Sequence, residues 1–423
     1  MREGVIKLAY GKAEVSVTLP VDNLEIVKPK KVNLAQSQKE LVLQAINNPI
    51  NSPPLKEVVR KGEKVCILVN DITRLTKSET FLPVLLEELN QIGVADNKIS
   101  ILFTNGLHRR MTKEEHRLIV GNDIAGKVKM YDHSARESKC LYVGKTSFGN
   151  KVYLNKMILE ADRIIMTGGI ILHHAAGYGG GRKAILPGVA KESSIYYNHR
   201  LIFEGNMAKP GVLNGNPLHE DALEACKFVK PDFLLNIVPD HEGNIAQAFA
   251  GHFHFAHKRG CELVDDLYKV KIQEQANLVI ASCGGFPNDI DLRQSKKSLY
   301  NASFAVKRGG TIIFLAECSK GFTREGESFF EWATKYKTTD AIKEALLNNF
   351  QLGGCQVYRI REVLDRAQVH ILTEIPDNII KEIGLIPIVS LQEVIDSCIK
   401  EFGYDEKIII MPRAALTLPE KSN

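Results

Sequence analysis

No apolar run in this chain of 423 residues approaches the ~18 that a membrane-crossing helix needs. Its opening residues, Met1-Arg2-Glu3-Gly4, lack the apolar core of a secretory signal, so a cytoplasmic protein with no membrane partner is expected. The eight cysteines, at 66, 140, 226, 261, 283, 318, 355 and 398, form no C-x-x-C pair. Several lie in apolar runs (Val65-Cys66-Ile67, Ser282-Cys283), as reduced and buried thiols do, which argues against disulfides and zinc ribbons. A net charge of +5, spread along the chain, makes no case for a nucleic-acid partner. The patterns G-x-S-x-G and H-E-x-x-H are also missing, which leaves serine hydrolases and zinc peptidases without a foothold.

What is present is an ordinary globular composition, 44% hydrophobic and 25% charged, at a length that calls for more than one core. Short aliphatic or β-branched runs alternate with helix-period stretches, the pattern of an α/β protein with mainly parallel sheets. Residues 64–70, 100–103 and 163–166 read as strands. They end in Asp71-Ile72-Thr73-Arg74, in Thr104-Asn105-Gly106-Leu107-His108 and in Thr167-Gly168-Gly169. Open α/β sheets bind ligands at the carboxyl ends of their strands, so these three turns are expected to converge. Stretches 78–89, 112–119, 192–199 and 291–307 read as helices; 233–238, 277–281, 310–315, 369–372, 386–389 and 407–411 read as further strands. A boundary near 270 divides an N-terminal α/β domain, 1–270, from a C-terminal one, 271–423, whose last residues could return to the first.

The densest chemistry lies in His173-His174-Ala175-Ala176-Gly177-Tyr178-Gly179-Gly180-Gly181-Arg182-Lys183, followed by Pro187-Gly188 and Asn198-His199. Glycines this close together bare a backbone that must pass near something. The loop is not a P-loop, because Ala184 stands where a magnesium-binding hydroxyl belongs, and Arg182 takes the third glycine position of a dinucleotide fingerprint. Its amides could still hold a phosphate, and a tight strand-to-helix turn would account for the glycines alone. Lys183 by composition is a surface lysine; beside Arg182 and a glycine nest its amine would deprotonate more easily and become available for covalent attachment. His173 and His174 alternate sides if extended, so at most one is expected to face a site. His199 in isolation suits a hydrogen-bonded core residue. Asp71 and Arg74 make either a local ion pair or a carboxylate clamp. Gln294 and Lys297 share one helix face, which alone would be a solvated basic surface.

In order and spacing, Asp71-Ile72-Thr73-Arg74, Gly106-Leu107-His108-Arg109, the run from His173 to Gly188, Asn198-His199 and Gly284-Gly285-Phe286-Pro287 with Gln294 and Lys297 resemble the nickel-dependent lactate racemase family, over essentially the whole chain. The resemblance implies two Rossmann-like domains with an active site in the interdomain cleft, and racemisation or epimerisation of a 2-hydroxy carboxylic acid. It implies a nickel-pincer nucleotide (pyridinium-3-thioamide-5-thiocarboxylic acid mononucleotide) carrying Ni(II), tethered at Lys183. His199 would be the protein's nickel ligand in a square-planar site. Asp71, Gly180 and Gly181 would belong to the cofactor bed, with Asp71 also fixing Arg74. His108 and His173 would be general bases, one for each enantiomer, and Arg74, Gln294 and Lys297 would hold the substrate. The C2 hydrogen is too weakly acidic for imidazole, so it would leave as hydride while the hydroxyl proton is taken. Enzymes of cofactor synthesis would be transient partners, and His174 is left to packing.

Two positions that carry bulky aromatic residues in lactate racemase hold Ala175 and Arg293 here, and the only tryptophan, Trp332, lies in a different segment. A wider pocket with an extra cation would suit malate or another larger or more anionic hydroxy acid. Two other classes stay open: an NAD(P)-dependent oxidoreductase, which the missing G-x-G-x-x-G disfavours, and a non-enzymatic nucleotide-binding scaffold. The residues set no oligomeric state.

Overall fold

The computed structural model describes residues 2–32, 36–74, 76–322 and 326–422. The chain divides into two compact units, Lys31–Asp266 and Met1–Lys30 with Leu267–Asn423. The segment before Lys31 therefore belongs with the C-terminal half, which corrects the division into 1–270 and 271–423. The cause is pairing. Leu24–Ile26 lies parallel to Ile408–Met411, and the hairpin Glu3–Tyr10/Ala13–Pro20 adds Leu8, Val17 and Leu19 to the core of that half. The chain's last strand, Leu418–Lys421, stays in this unit beside Lys269–Ile272.

Unit Lys31–Asp266 is built on β1 (Val65–Val69), β2 (Ile99–Phe103), β3 (Lys129–Asp132), β4 (Arg163–Gly169), β5 (Phe233–Pro239) and β6 (Ile245–Gly251). Their order is β3-β2-β1-β4-β5-β6, parallel throughout except for the β5–β6 pair. This is a doubly wound sheet whose winding reverses between β1 and β4, and the crevice at the carboxyl ends of those strands is where such sheets take ligands. Every residue of β1 is buried, as a central parallel strand requires. Val65, Ile67 and Val69 pack on one face with helices α1 (Gln38–Asn47) and α2 (Ser78–Ile92). Cys66 and Leu68 pack on the other with residues of α3 (Glu192–Arg200) and α4 (Pro217–Val229). Strand β6 was not expected from its alanine-rich sequence; hydrogen bonding to β5 imposes it.

The other unit carries six parallel strands in the order Ile386–Pro387, Gln368–Leu372, Val306–Leu315, Ala276–Ser282, Ile408–Met411 and Leu24–Ile26. Leu278, Ile280, Ile313, Leu315, Ile408 and Ile410 fill one face. The helix expected over 291–307 ends at Ala302, because Val306 pairs with Ala276 and opens a strand instead. All eight cysteines are free thiols. Among the described residues no helix is long and apolar enough to cross a membrane.

Candidate functional site

The expected convergence of three turns rests on adjacency, since β2, β1 and β4 are neighbours in the sheet. Asp71, just beyond β1, is 3% exposed. Its Oδ1 accepts the Thr73 N–H at 2.9 Å and the Thr73 hydroxyl at 2.6 Å, and its Oδ2 lies 2.5 Å from His108 Nδ1. Burial alone would raise the Asp71 carboxyl. Hydrogen bonds from His108 and Thr73, with the charges of His108 and Arg74, outweigh it and hold the carboxyl below the usual carboxylate range. An ionised carboxylate only accepts, so His108 donates through Nδ1, and in its neutral form the ring carries its lone pair on Nε2. Asp71 was expected to fix Arg74; its carboxylate holds His108, and the Arg74 charge acts on the same carboxyl. The Arg74 guanidinium donates to the Thr73 carbonyl and hydroxyl at 3.0 and 3.2 Å.

Beyond β4 the chain pairs Leu172–His173 with Gly177–Tyr178 across a turn. In that turn the N–H groups of Ala175 and Ala176 both donate to His173 Nδ1, at 3.2 and 3.1 Å. The rings of His173 and His174 stack with centroids 4.6 Å apart. They do not point to opposite sides as expected, because the turn starts at His174 and ends the extended backbone.

The glycine run is explained by what it packs against. A side chain at Gly180 would meet Asn236 Oδ1 at 2.7 Å, and one at Gly181 would meet His257 at 2.5 Å, both at positive φ. Asn236, buried in the middle of β5, accepts the Gly181 N–H at 2.8 Å. The Arg182 guanidinium, 1% exposed, donates to the carbonyls of Ala176, Tyr178 and Gly180 and so ties the loop to itself. Lys183 follows on the short turn Gly181–Ala184. The loop after β2 joins the same structure, since the Gly106 N–H donates to the Gly188 carbonyl at 3.0 Å.

His199 sits at the end of α3 behind a buried polar anchor. Asp221 accepts from the Thr146 hydroxyl at 2.7 Å, the Asn150 amide at 2.9 Å and the Asn198 amide at 2.8 Å. His199 Nδ1 donates to the Ile195 carbonyl at 2.9 Å, which leaves the lone pair on Nε2. Burial first, and the Lys183 charge second, bring the imidazole down to about 4, so it is neutral near pH 7. His108 also acts on it electrostatically, which puts Lys183, His108 and His199 in one neighbourhood.

Among the described residues no three His, Cys, Asp or Glu side chains gather as a metal site. His199 offers one neutral nitrogen beside an amine, so a metal there needs its remaining donors from a non-protein group. That is the donor set a tethered metal–organic cofactor brings, and the residues fit it.

Gln294 and Lys297 lie in the other unit, on the helix Leu292–Ala302 capped by Asp291. Their shared face is observed: Lys297 Nζ donates to Gln294 Oε1 at 3.3 Å. Thr73, Asn236 and Asp221 were missed by sequence reasoning. Asn236 had a signal, a lone amide inside the apolar run Phe233–Val238. Other histidines are structural: His133 contacts the Ala190 carbonyl, and His257 the Gly179 carbonyl.

Residues 10–211 match the family model described as the lactate racemase N-terminal domain, and residues 271–416 the lactate racemase C-terminal domain. The chain is 35% identical over 350 residues to the lactate racemase of Thermoanaerobacterium thermosaccharolyticum, covering 81% of each chain. It is 33% identical over 326 residues to that of Lactiplantibacillus plantarum, covering 76% of each. The lactate racemase apoprotein structure from T. thermosaccharolyticum superposes with a TM-score of 0.92 at 30% identity, over 99% of this chain and 100% of that one. A Thermotoga maritima protein structure at 17% identity and a TM-score of 0.70, over 93% of this chain and 100% of that one, shares the fold. By these matches the chain belongs to the lactate racemase family, whose members are isomerases acting on hydroxy acids.

Proposed function

We propose that this protein interconverts the stereoisomers of a 2-hydroxy carboxylic acid with a nickel-pincer nucleotide held at Lys183 and His199. The observation that carries the reading is His199 with its Nδ1 committed to the Ile195 carbonyl, in the same electrostatic neighbourhood as Lys183. When bound, the cofactor supplies a reversible acceptor for the C2 hydride. Lys183 provides the amine for the tether, and His199 Nε2 the protein's nickel ligand. His108 and His173 handle the hydroxyl proton, and Arg74 holds the substrate carboxylate. Gln294 and Lys297 are assigned to substrate binding, and Asp71, Gly180 and Gly181 to the cofactor bed, on the family resemblance. A free dinucleotide finds no support, since the turn after β1 reads Asn70-Asp71-Ile72-Thr73, without a glycine.

We further propose a substrate larger or more anionic than lactate, because on the family resemblance Ala175 and Arg293 stand where lactate racemase carries aromatic residues. Protein produced beside the cofactor-synthesis enzymes is to be incubated with single stereoisomers of lactate, malate, 2-hydroxyglutarate and aldonates and followed by chiral chromatography. Interconversion without added NAD(P), lost in Lys183→Ala, is expected. Activity confined to lactate removes the larger substrate; loaded protein inert on all four contradicts the racemase.

A further inference from the structure

We infer that His108 and His173 are held in opposite tautomers, so that in the resting protein His108 is poised to accept a proton and His173 to donate a hydrogen bond. Asp71 is the positioning residue for the first, and the Ala175–Ala176 backbone for the second. The catalytic meaning rests on the function proposed above; the tautomers themselves do not.

The Asp71 carboxylate already accepts two hydrogen bonds from Thr73, and its second oxygen lies 2.5 Å from His108 Nδ1. It offers that nitrogen no hydrogen, so the hydrogen between them belongs to His108 and the lone pair to its Nε2. At His173 the roles reverse. Its Nδ1 faces two backbone N–H groups, which only donate, so Nδ1 holds a lone pair and Nε2 carries the ring hydrogen. Charging His173 would put a hydrogen on Nδ1 and remove both bonds.

The two imidazoles are thus not mirror equivalents. At His108 the substrate O–H bond would break and an Nε2–H bond form, with the new imidazolium charge facing the Asp71 carboxylate; the cofactor, when bound, would supply the acceptor for the C2 hydrogen and its electron pair. A neutral imidazole presenting Nε2–H polarises a carbonyl oxygen such as that of the 2-keto acid. For His173 to act as base, its hydrogen must first move to Nδ1 against the two backbone donors. The fold therefore favours proton removal at His108 and adds a step to removal at His173.

The test needs no cofactor. Nitrogen-15 spectra of the histidine-labelled protein, recorded above the titration range of imidazole and assigned with His108→Gln and His173→Gln, report which ring nitrogen carries hydrogen. Hydrogen on Nδ1 of His108 and on Nε2 of His173 is expected. Asp71→Asn, whose amide can donate to Nδ1, should move the His108 hydrogen to Nε2, whereas Asp71→Glu should keep it on Nδ1. In the loaded enzyme Asp71→Asn should lower kcat by roughly 10³–10⁴-fold with little change in KM, the size of effect seen when a catalytic histidine is put in the wrong tautomer. One tautomer at both rings, or an unmoved His108 hydrogen in Asp71→Asn, overturns the inference. Failure of the loaded wild-type protein to racemise overturns the proposed function instead and leaves the spectra to judge the tautomers.

Discussion

Each unit places a buried carboxylate in a turn that follows a central parallel strand, and the two carboxylates do different work. In Lys31–Asp266, Asp71 follows β1 and holds an imidazole. In the other unit, Asp289 follows strand Ala276–Ser282, is 0% exposed, and accepts the backbone N–H of Gly11 in the N-terminal hairpin at 2.7 Å. Eleven of the twelve histidines lie in the first unit, His370 being the exception. Similar sheets therefore carry unequal chemistry, and the partner of a buried acid, rather than its burial, separates a site from a structural joint.

The largest difference between the two units is expected at Lys183 and His199, the residues proposed to hold the cofactor. Lys183→Ala or His199→Ala should reduce racemisation by on the order of 10⁴-fold or more in folded protein, while Gln294→Ala in the other unit should cost roughly 10–100-fold, mainly in KM. Steady-state rates of cofactor-loaded protein check this; equal losses would erase the distinction. The two acids should then part. Asp71→Asn lowers kcat with a nearly unchanged melting temperature, whereas Asp289→Ala costs about 2–4 kcal/mol of stability and leaves kcat of the folded protein intact. Chemical denaturation with kinetics on the same samples reads both.

Acid should find the histidine-rich unit first. Burial disfavours the charged rings of His133, His199, His257 and His219, bringing them from 6.5 to about 4, 4, 3 and 2. The unfolded chain binds protons below 6.5 that these folded rings refuse until near 4 or lower. Their stabilising contribution is complete above 6.5 and declines as pH falls through that window. Asp221, raised by burial, acts in the opposite sense at the acidic end. Hydrogen exchange across this range should show protection lost in Lys31–Asp266 before the other unit; the reverse order contradicts the assignment. The smallest effect belongs to the other unit's core, where Ile280→Val should cost about 1 kcal/mol and leave turnover unchanged.

The features legible in the sequence were those written in contiguous residues. Strands β1, β2 and β4 showed as aliphatic runs, and their polar ends gave Asp71, His108 and His173 as candidates. The N-terminal hairpin was not legible as part of the second unit, because its partners lie more than 250 residues away, as in the Gly11–Asp289 bond. The glycine run invited a cofactor bed, yet the groups filling the space beside Gly180 and Gly181 come from Asn236 and His257, far along the chain. For Asp71 the near neighbour Arg74 was legible, whereas the imidazole its carboxylate holds lies 37 residues on, across adjacent strands. The tautomers inferred for His108 and His173 rest on hydrogen-bond geometry, which no spacing encodes.

Lys183 and His199 are proposed to anchor a nickel-bearing cofactor, and intact mass with elemental analysis tests this directly. Protein produced beside the cofactor-synthesis enzymes should carry added mass that maps to Lys183, with nickel that His199→Ala loses. An unmodified Lys183 and no nickel, in a preparation where a lactate racemase relative is loaded in parallel, would contradict it.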